Sequence, residues 1–182
     1  EKTAQVLAEG LEYCRMSRGA FDITIEPLSS LWDFTGKTPH VPPREEIEAD
    51  LKKVGYENVI LDGRQITFLN DETTIDLGAI AKGFIADQMK AYLEDKGVES
   101  AVINLGGNVL CVGERPDGTP FKIGLQRPYA THTETVAALK IDGMSVVSSG
   151  VYERHFMEKG VNYHHILDPS TGYPYENGLT QV

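Results

Sequence analysis

A chain of 182 residues is long enough for one full-sized domain with a real core. With 41% hydrophobic and 24% charged residues, it needs no metal or disulfide framework to close. Its formal net charge of -10 argues against nucleic acid and anionic membrane surfaces as partners, and leaves room for a small anionic ligand in a pocket that makes its own field.

Val6, Leu7, Leu11, Cys14 and Met16 recur at helical spacing, so residues 2 to 17 read as an amphipathic helix that "SRG" ends. "AFDITIEPL" alternates like a strand that Pro27 closes, and "SSLWDF" reads as a short helix carrying the only Trp. After the loop "TGKTPHVPP", "REEIEADLKKVG" is a second helix, acidic at its start and basic at its end, with Gly55 as its C-cap. "NVILDGRQITFL" is a hairpin turning at Asp62-Gly63. A strand-like run, Thr73 to Leu77, then meets Gly78, and a helix runs from there until "DKG" stops it at Gly97. The rest reads as β structure: "SAVINLGG", "NVLCVGE", "PFKIGL", "TVAALKI", "MSVVSSG", "VYERHF" and "NYHHILD". Turns are expected at Asp117-Gly118, Asp142-Gly143 and Lys159-Gly160. Helices mixed with mostly antiparallel hairpins give the α+β class.

Cys14 lies in a helical pattern and Cys111 in a strand pattern, and together they fix neither compartment nor disulfide. No run reaches transmembrane length and no signal-peptide pattern occurs. The chain opens within a helical pattern without an initiator Met and stops at "GLTQV", a strand interrupted at its start. The expectation is a piece of a longer protein.

Several stretches carry chemistry. A helix beginning at Gly78 aims free N–H groups and a positive dipole end at whatever sits over the junction. Gly78, Ala79, Ala81 and Gly83 let a ligand approach the backbone, and Lys82 adds a full charge. This suits a phosphate or pyrophosphate, with Asp76 holding a hydroxyl, an amine or a metal-bound water. An ordinary strand-to-helix turn with an exposed lysine is the alternative. The segment is not a Walker A loop, and no G-x-G-x-x-G fingerprint occurs. "NLGGN", residues 104 to 108, allows either close backbone approach to a ligand or a simple bulge. "VSSGVYER", 147 to 154, offers two hydroxyls for phosphate oxygens or for capping a turn, and Glu153 and Arg154 read as a solvated pair. In "YHHILDPSTGYP" the adjacent His164 and His165 face opposite sides of a strand, so one can point into a cleft as a hydrogen-bond donor or proton shuttle. Phe21 beside Asp22 suits a flat heteroaromatic ring with polar edges, or else a core Phe and a capping Asp.

Taken in order, "GAFDITIEPLSSLW", "TIDLGAIAKGFIAD", "AVINLGGNVL", "VVSSGVYERHF" and "YHHILDPSTGYP" resemble the ApbE family along nearly the whole chain. These are FAD:protein FMN transferases, long described as thiamine-biosynthesis lipoproteins. The resemblance implies an ApbE-like α+β fold with helices packed on mostly antiparallel sheets, and residues 1–182 as part of one flavin transferase domain. It also implies Mg2+-dependent attack of a threonine hydroxyl of a target protein on the FAD pyrophosphate. FMN would become phosphoester-linked to the target and AMP would leave. By motif, Ala20, Phe21 and Asp22 would contact the flavin nucleotide. Asp76 and Lys82 would hold FAD, Ala79 would offer its carbonyl to the metal, and Ile166 and the catalytic His165 would line the same site. FAD, a threonine-bearing protein and no nucleic acid are the implied partners, and a lipid-anchored, extracytoplasmic parent is the implied location.

The chain departs from the family pattern in carrying neither the N-terminal anchor region nor the downstream Asp-Ala-x-x-Thr type segment that supplies side-chain metal ligands. Hydrolysis of FAD to FMN and AMP, non-catalytic flavin binding, and a purely structural domain are the alternatives.

Overall fold

Leu7, Leu11 and Cys14 are one helical turn apart, and they form the buried seam of α1, Lys2–Met16. Gly10 sits on the same seam because a Cβ there would come within 3.0 Å of both Ile23 and Ile80. The computed structural model describes residues 1–131 and 133–182. They divide into one unit of Glu1–Ile80 with Glu153–Gly178 and another of Ala81–Tyr152 with Leu179–Val182.

In the first unit α1 packs on the hairpin of β1, Val59–Asp62, and β2, Gln65–Phe68. Ile23 and Val59 close that core, with Phe21, Tyr56 and Ile75 at its margin. A second core gathers α2, Glu26–Trp32, and α3, Arg44–Leu51, with the hairpin of β8, His155–Glu158, and β9, Val161–His164. Trp32 is fully buried at its centre. Phe34 stacks on it at 5.5 Å, Phe156, Tyr163 and Tyr173 surround it, and its indole N–H donates to the Gly172 carbonyl at 2.8 Å. Gly172 takes φ +75°, and a Cβ there would stand 2.5 Å from Ile47, so glycine is required on both counts.

The second unit holds most of α4, Gly78–Asp95, and a sheet in the order β3-β4-β7 (Ala101–Leu105, Asn108–Val112, Ser145–Val147). A separate hairpin pairs β5, Phe121–Gln126, with β6, Thr135–Ile141. Its core is small: Ala86, Ile103, Leu110 and Val112. All the sheet pairings are antiparallel, as the α+β reading expects. No helix among the described residues is long and apolar enough to cross a membrane. Cys14 and Cys111 are both buried free thiols.

Four local expectations need correction. "AFDITIEPL" is not a strand. Asp22 accepts from the Thr24 N–H and folds the chain into a turn, which buries the neighbours Ile23 and Thr24 together. Pro27 opens α2 rather than closing a strand, because the first helical turn needs no N–H from it. Thr73 to Leu77 forms no strand among the described residues, and its Asp76 N–H donates to the Ile23 carbonyl. Gly55 does not cap α3, which ends at Leu51. It takes φ 151° ahead of a 3-10 turn, Tyr56–Asn58.

Candidate functional site

The His164-His165 pair divides as a strand must divide it. His164 is buried, with Nε2 3.2 Å from the Tyr175 carbonyl, while Nδ1 accepts from the Ile166 N–H at 3.3 Å. Burial holds its pKa below the ordinary histidine value. His165 points the other way, into a cleft of about 180 Å³ within the first unit. Ser29 and Ser30 of α2, with Asp33, Phe34 and Thr35 just after it, form one wall, and Arg154 and His165 form the other.

The two residues of that second wall come from one register. Residues equidistant from the Lys159-Gly160 turn face each other, so His155 pairs with His164. The next pair out is Arg154 and His165, joined by the His165 N–H donating to the Arg154 carbonyl at 3.1 Å. Their side chains therefore share a face. The pairing was open to the sequence through that turn, yet Arg154 reads there only as half of a solvated pair. The Nδ1 of His165 is sealed from solvent without a partner among the described residues, which leaves Nε2 as the nitrogen available to a reactant. Burial first, and then the nearby Arg154 charge, push its pKa down, so the ring is neutral at pH 7.

Asp22 has a different task from the one its motif implies. One carboxylate oxygen takes the Thr24 N–H at 2.8 Å and the Thr24 hydroxyl at 2.6 Å, and the other takes the Tyr56 N–H at 3.0 Å. Thr24 in turn accepts from the Gly55 N–H at 2.7 Å. Asp22 is a buried brace holding the backbone that presents exposed Ala20 and half-buried Phe21. The Phe21 ring meets Tyr13 edge-on at 6.4 Å.

Asp76 caps α4. Its Oδ1 accepts from the Gly78 N–H at 2.6 Å, so a carboxylate already occupies part of the helix end expected to be open for an anion. Lys82 is exposed one turn on and donates to the Gly106 carbonyl at 3.3 Å, within the second unit. Gly106 and Gly107 there take φ +62° and +90°, the bend that "NLGGN" was read to allow. Ala79 is exposed in the first turn of α4, and Ile166 is half-buried, its carbonyl accepting from Tyr175. Among the described residues no three Asp, Glu, His or Cys side chains gather to hold a metal ion. One carbonyl at Ala79 does not fit a resident Mg2+, which demands near-octahedral oxygen geometry.

An α+β chain with a polar, histidine-bearing cleft and glycine-lined turns is thus the class that the structure defines. The ApbE family model matches residues 1–182, and the chain belongs to that family. An FAD:protein FMN transferase of Klebsiella pneumoniae is 43% identical over 165 residues, covering 90% of this chain and 50% of that protein. One of Vibrio cholerae is 31% identical, covering 100% and 55%. The crystal structure of an ApbE protein from Thermotoga maritima superimposes with a TM-score of 0.90 at 35% identity, covering all of this chain and 59% of its own. The apo flavinyl transferase ApbE of Pseudomonas stutzeri gives 0.82 at 32%, with coverage of 97% and 55%. The chain spans about half the length of the curated relatives it matches.

Proposed function

We propose that the whole protein is an FAD:protein FMN transferase acting on a threonine of a target protein. The observation that carries this is the family match over residues 1–182, together with relatives that bear that name. The acceptor hydroxyl oxygen attacks the FMN-side phosphorus of FAD, and the bond from that phosphorus to the bridging oxygen breaks. AMP leaves with the electron pair, and the hydroxyl proton passes to His165. A neutral imidazole is the form that accepts it, and the burial and charge around His165 favour that form. Asp76 and Lys82 are assigned to FAD on the family resemblance, as are Ala20, Phe21 and Ile166. Asp22 serves them as the brace described above. The assignment of Ala79 to Mg2+ rests on the resemblance too, and no step here runs through the metal. We also place the protein outside the cytoplasm on a lipid anchor, which fractionation of the source cells would test.

The deciding assay incubates the 182-residue chain, and a chain extended to the length of its relatives, with FAD, Mg2+ and a candidate acceptor, with and without EDTA. Covalent flavin is read by in-gel fluorescence and AMP by chromatography. Acceptor-linked flavin with one AMP per FMN transferred is expected from the extended chain. AMP and free FMN without labelled acceptor would point to hydrolysis instead, and neither product would sink the reading.

A further inference from the structure

The cleft beside His165 has features that a bound dinucleotide does not explain. Arg154 and Asp33 bring opposite charges to its walls, yet neither makes an ion pair among the described residues. Asp33 is held in the left-handed region, φ 42°, and its carboxylate lies where a Cβ on Gly36 would stand, so the loop is shaped to carry it. A pyrophosphate only accepts hydrogen bonds and is anionic, and it would face that carboxylate. The volume of about 180 Å³ is also below the roughly 300–1,000 Å³ of pockets that enclose a drug-sized ligand.

An extended polypeptide fits better. It offers carbonyls and N–H groups in alternation. The Arg154 guanidinium only donates, the Asp33 carboxylate only accepts, and the hydroxyls of Ser29 and Thr35 do both. His165 stands on the same wall as Arg154, where a hydroxyl carried by that segment would meet it. We infer that this cleft seats the hydroxyl-bearing segment of the acceptor polypeptide, with Arg154 and Asp33 as its two anchors. The inference rests on the transferase reading and names where its second substrate docks.

Fluorescence anisotropy tests it on the 182-residue chain. The probes are labelled heptapeptides with one central threonine, flanked in separate sets by alanine, aspartate or lysine. The chain is expected to bind at least one set. Arg154→Gln and Asp33→Asn should each weaken that binding at least about tenfold, the effect of losing a charged hydrogen-bond partner, and leave FAD affinity unchanged. Both positions are exposed and Asn tolerates the left-handed conformation, so folding survives; emission from Trp32, stacked on the cleft residue Phe34, verifies this. No binding of any peptide, or variants that lose FAD affinity instead, would overturn the inference. In the extended chain, an acceptor KM indifferent to Arg154→Gln overturns it while the transferase reading stands. Absence of any transfer or hydrolysis by the unmutated extended chain sinks the reading itself, whatever the peptides do.

Discussion

The two units bury their apolar residues very differently. Around Trp32 the first unit packs rings on rings, and Ile23, Leu28 and Ile47 have no exposed surface at all. In the second unit burial is concentrated on β4, where Cys111 and Val112 are sealed, while α4 buries only Ala86 and every residue of β6 except Ile141 is exposed, Val136 and Leu139 included. A mutation should therefore be felt according to the unit it falls in, and the histidine cleft is set in the unit that is packed to resist distortion.

Trp32→Ala should show this most strongly. It removes the ring at the centre of the aromatic cluster and the bond to Gly172, at a cost of about 3–5 kcal/mol in urea unfolding. A loss under about 1 kcal/mol would mean that the first unit is no more tightly packed than the second. Asp22→Asn comes next. It disturbs three hydrogen bonds at a buried site and should cost about 1–3 kcal/mol with no ligand present. Unchanged stability with lost FAD binding would return Asp22 to the role of direct ligand.

The pH response reports on the first unit, which holds the His164-His165 pair. Both His164 and His165 have depressed pKa values, chiefly through burial. The unfolded chain binds protons on these imidazoles near pH 6.5, and the folded chain only below that. Stability is thus complete above about pH 7 and falls as pH drops through 6.5, until the folded imidazoles titrate in turn. The urea midpoint should fall between pH 7.5 and 5.5, and His165→Gln should flatten that slope; an unaltered slope would show that the ring is solvated. The smallest effect belongs to β6. Leu139→Thr should shift stability by no more than about 0.5 kcal/mol, since its side chain is 41% exposed and leaves no cavity. A loss of several kcal/mol would place Leu139 in a core that the structure does not show.

Much of this was legible beforehand. The periodicity of α1 and α4 gave those helices, the turns at Asp62-Gly63 and Lys159-Gly160 gave two hairpins and their antiparallel pairing, and strand alternation separated His164 from His165, whereas the turn at Asp142-Gly143 joins β6 and β7, which pair with other strands. Two features stayed hidden. The local alternation of residues 21 to 25 imitates a strand, and only the reach of Asp22 to Tyr56, far along the chain, shows the turn. The cleft joins residues 29–35 to Arg154 and His165, and no local pattern reports a contact over that distance. Arg154 has a signal in the hairpin register; Asp33 has none.

The first unit is interrupted in sequence, with residues 81–152 threaded between its two parts. On a ribosome this sets an order of events. The indole of Trp32 is made 140 residues before Gly172, the partner of its N–H. At roughly 5–20 residues per second the nascent chain carries that ring uncovered for on the order of ten seconds. The intervening β3–β4 hairpin, closed by a tight turn, has its whole partner strand at hand almost as soon as it emerges. The Trp32 core is therefore closed long after its first half is made, and it is the part of the molecule a chaperone would have to guard during synthesis.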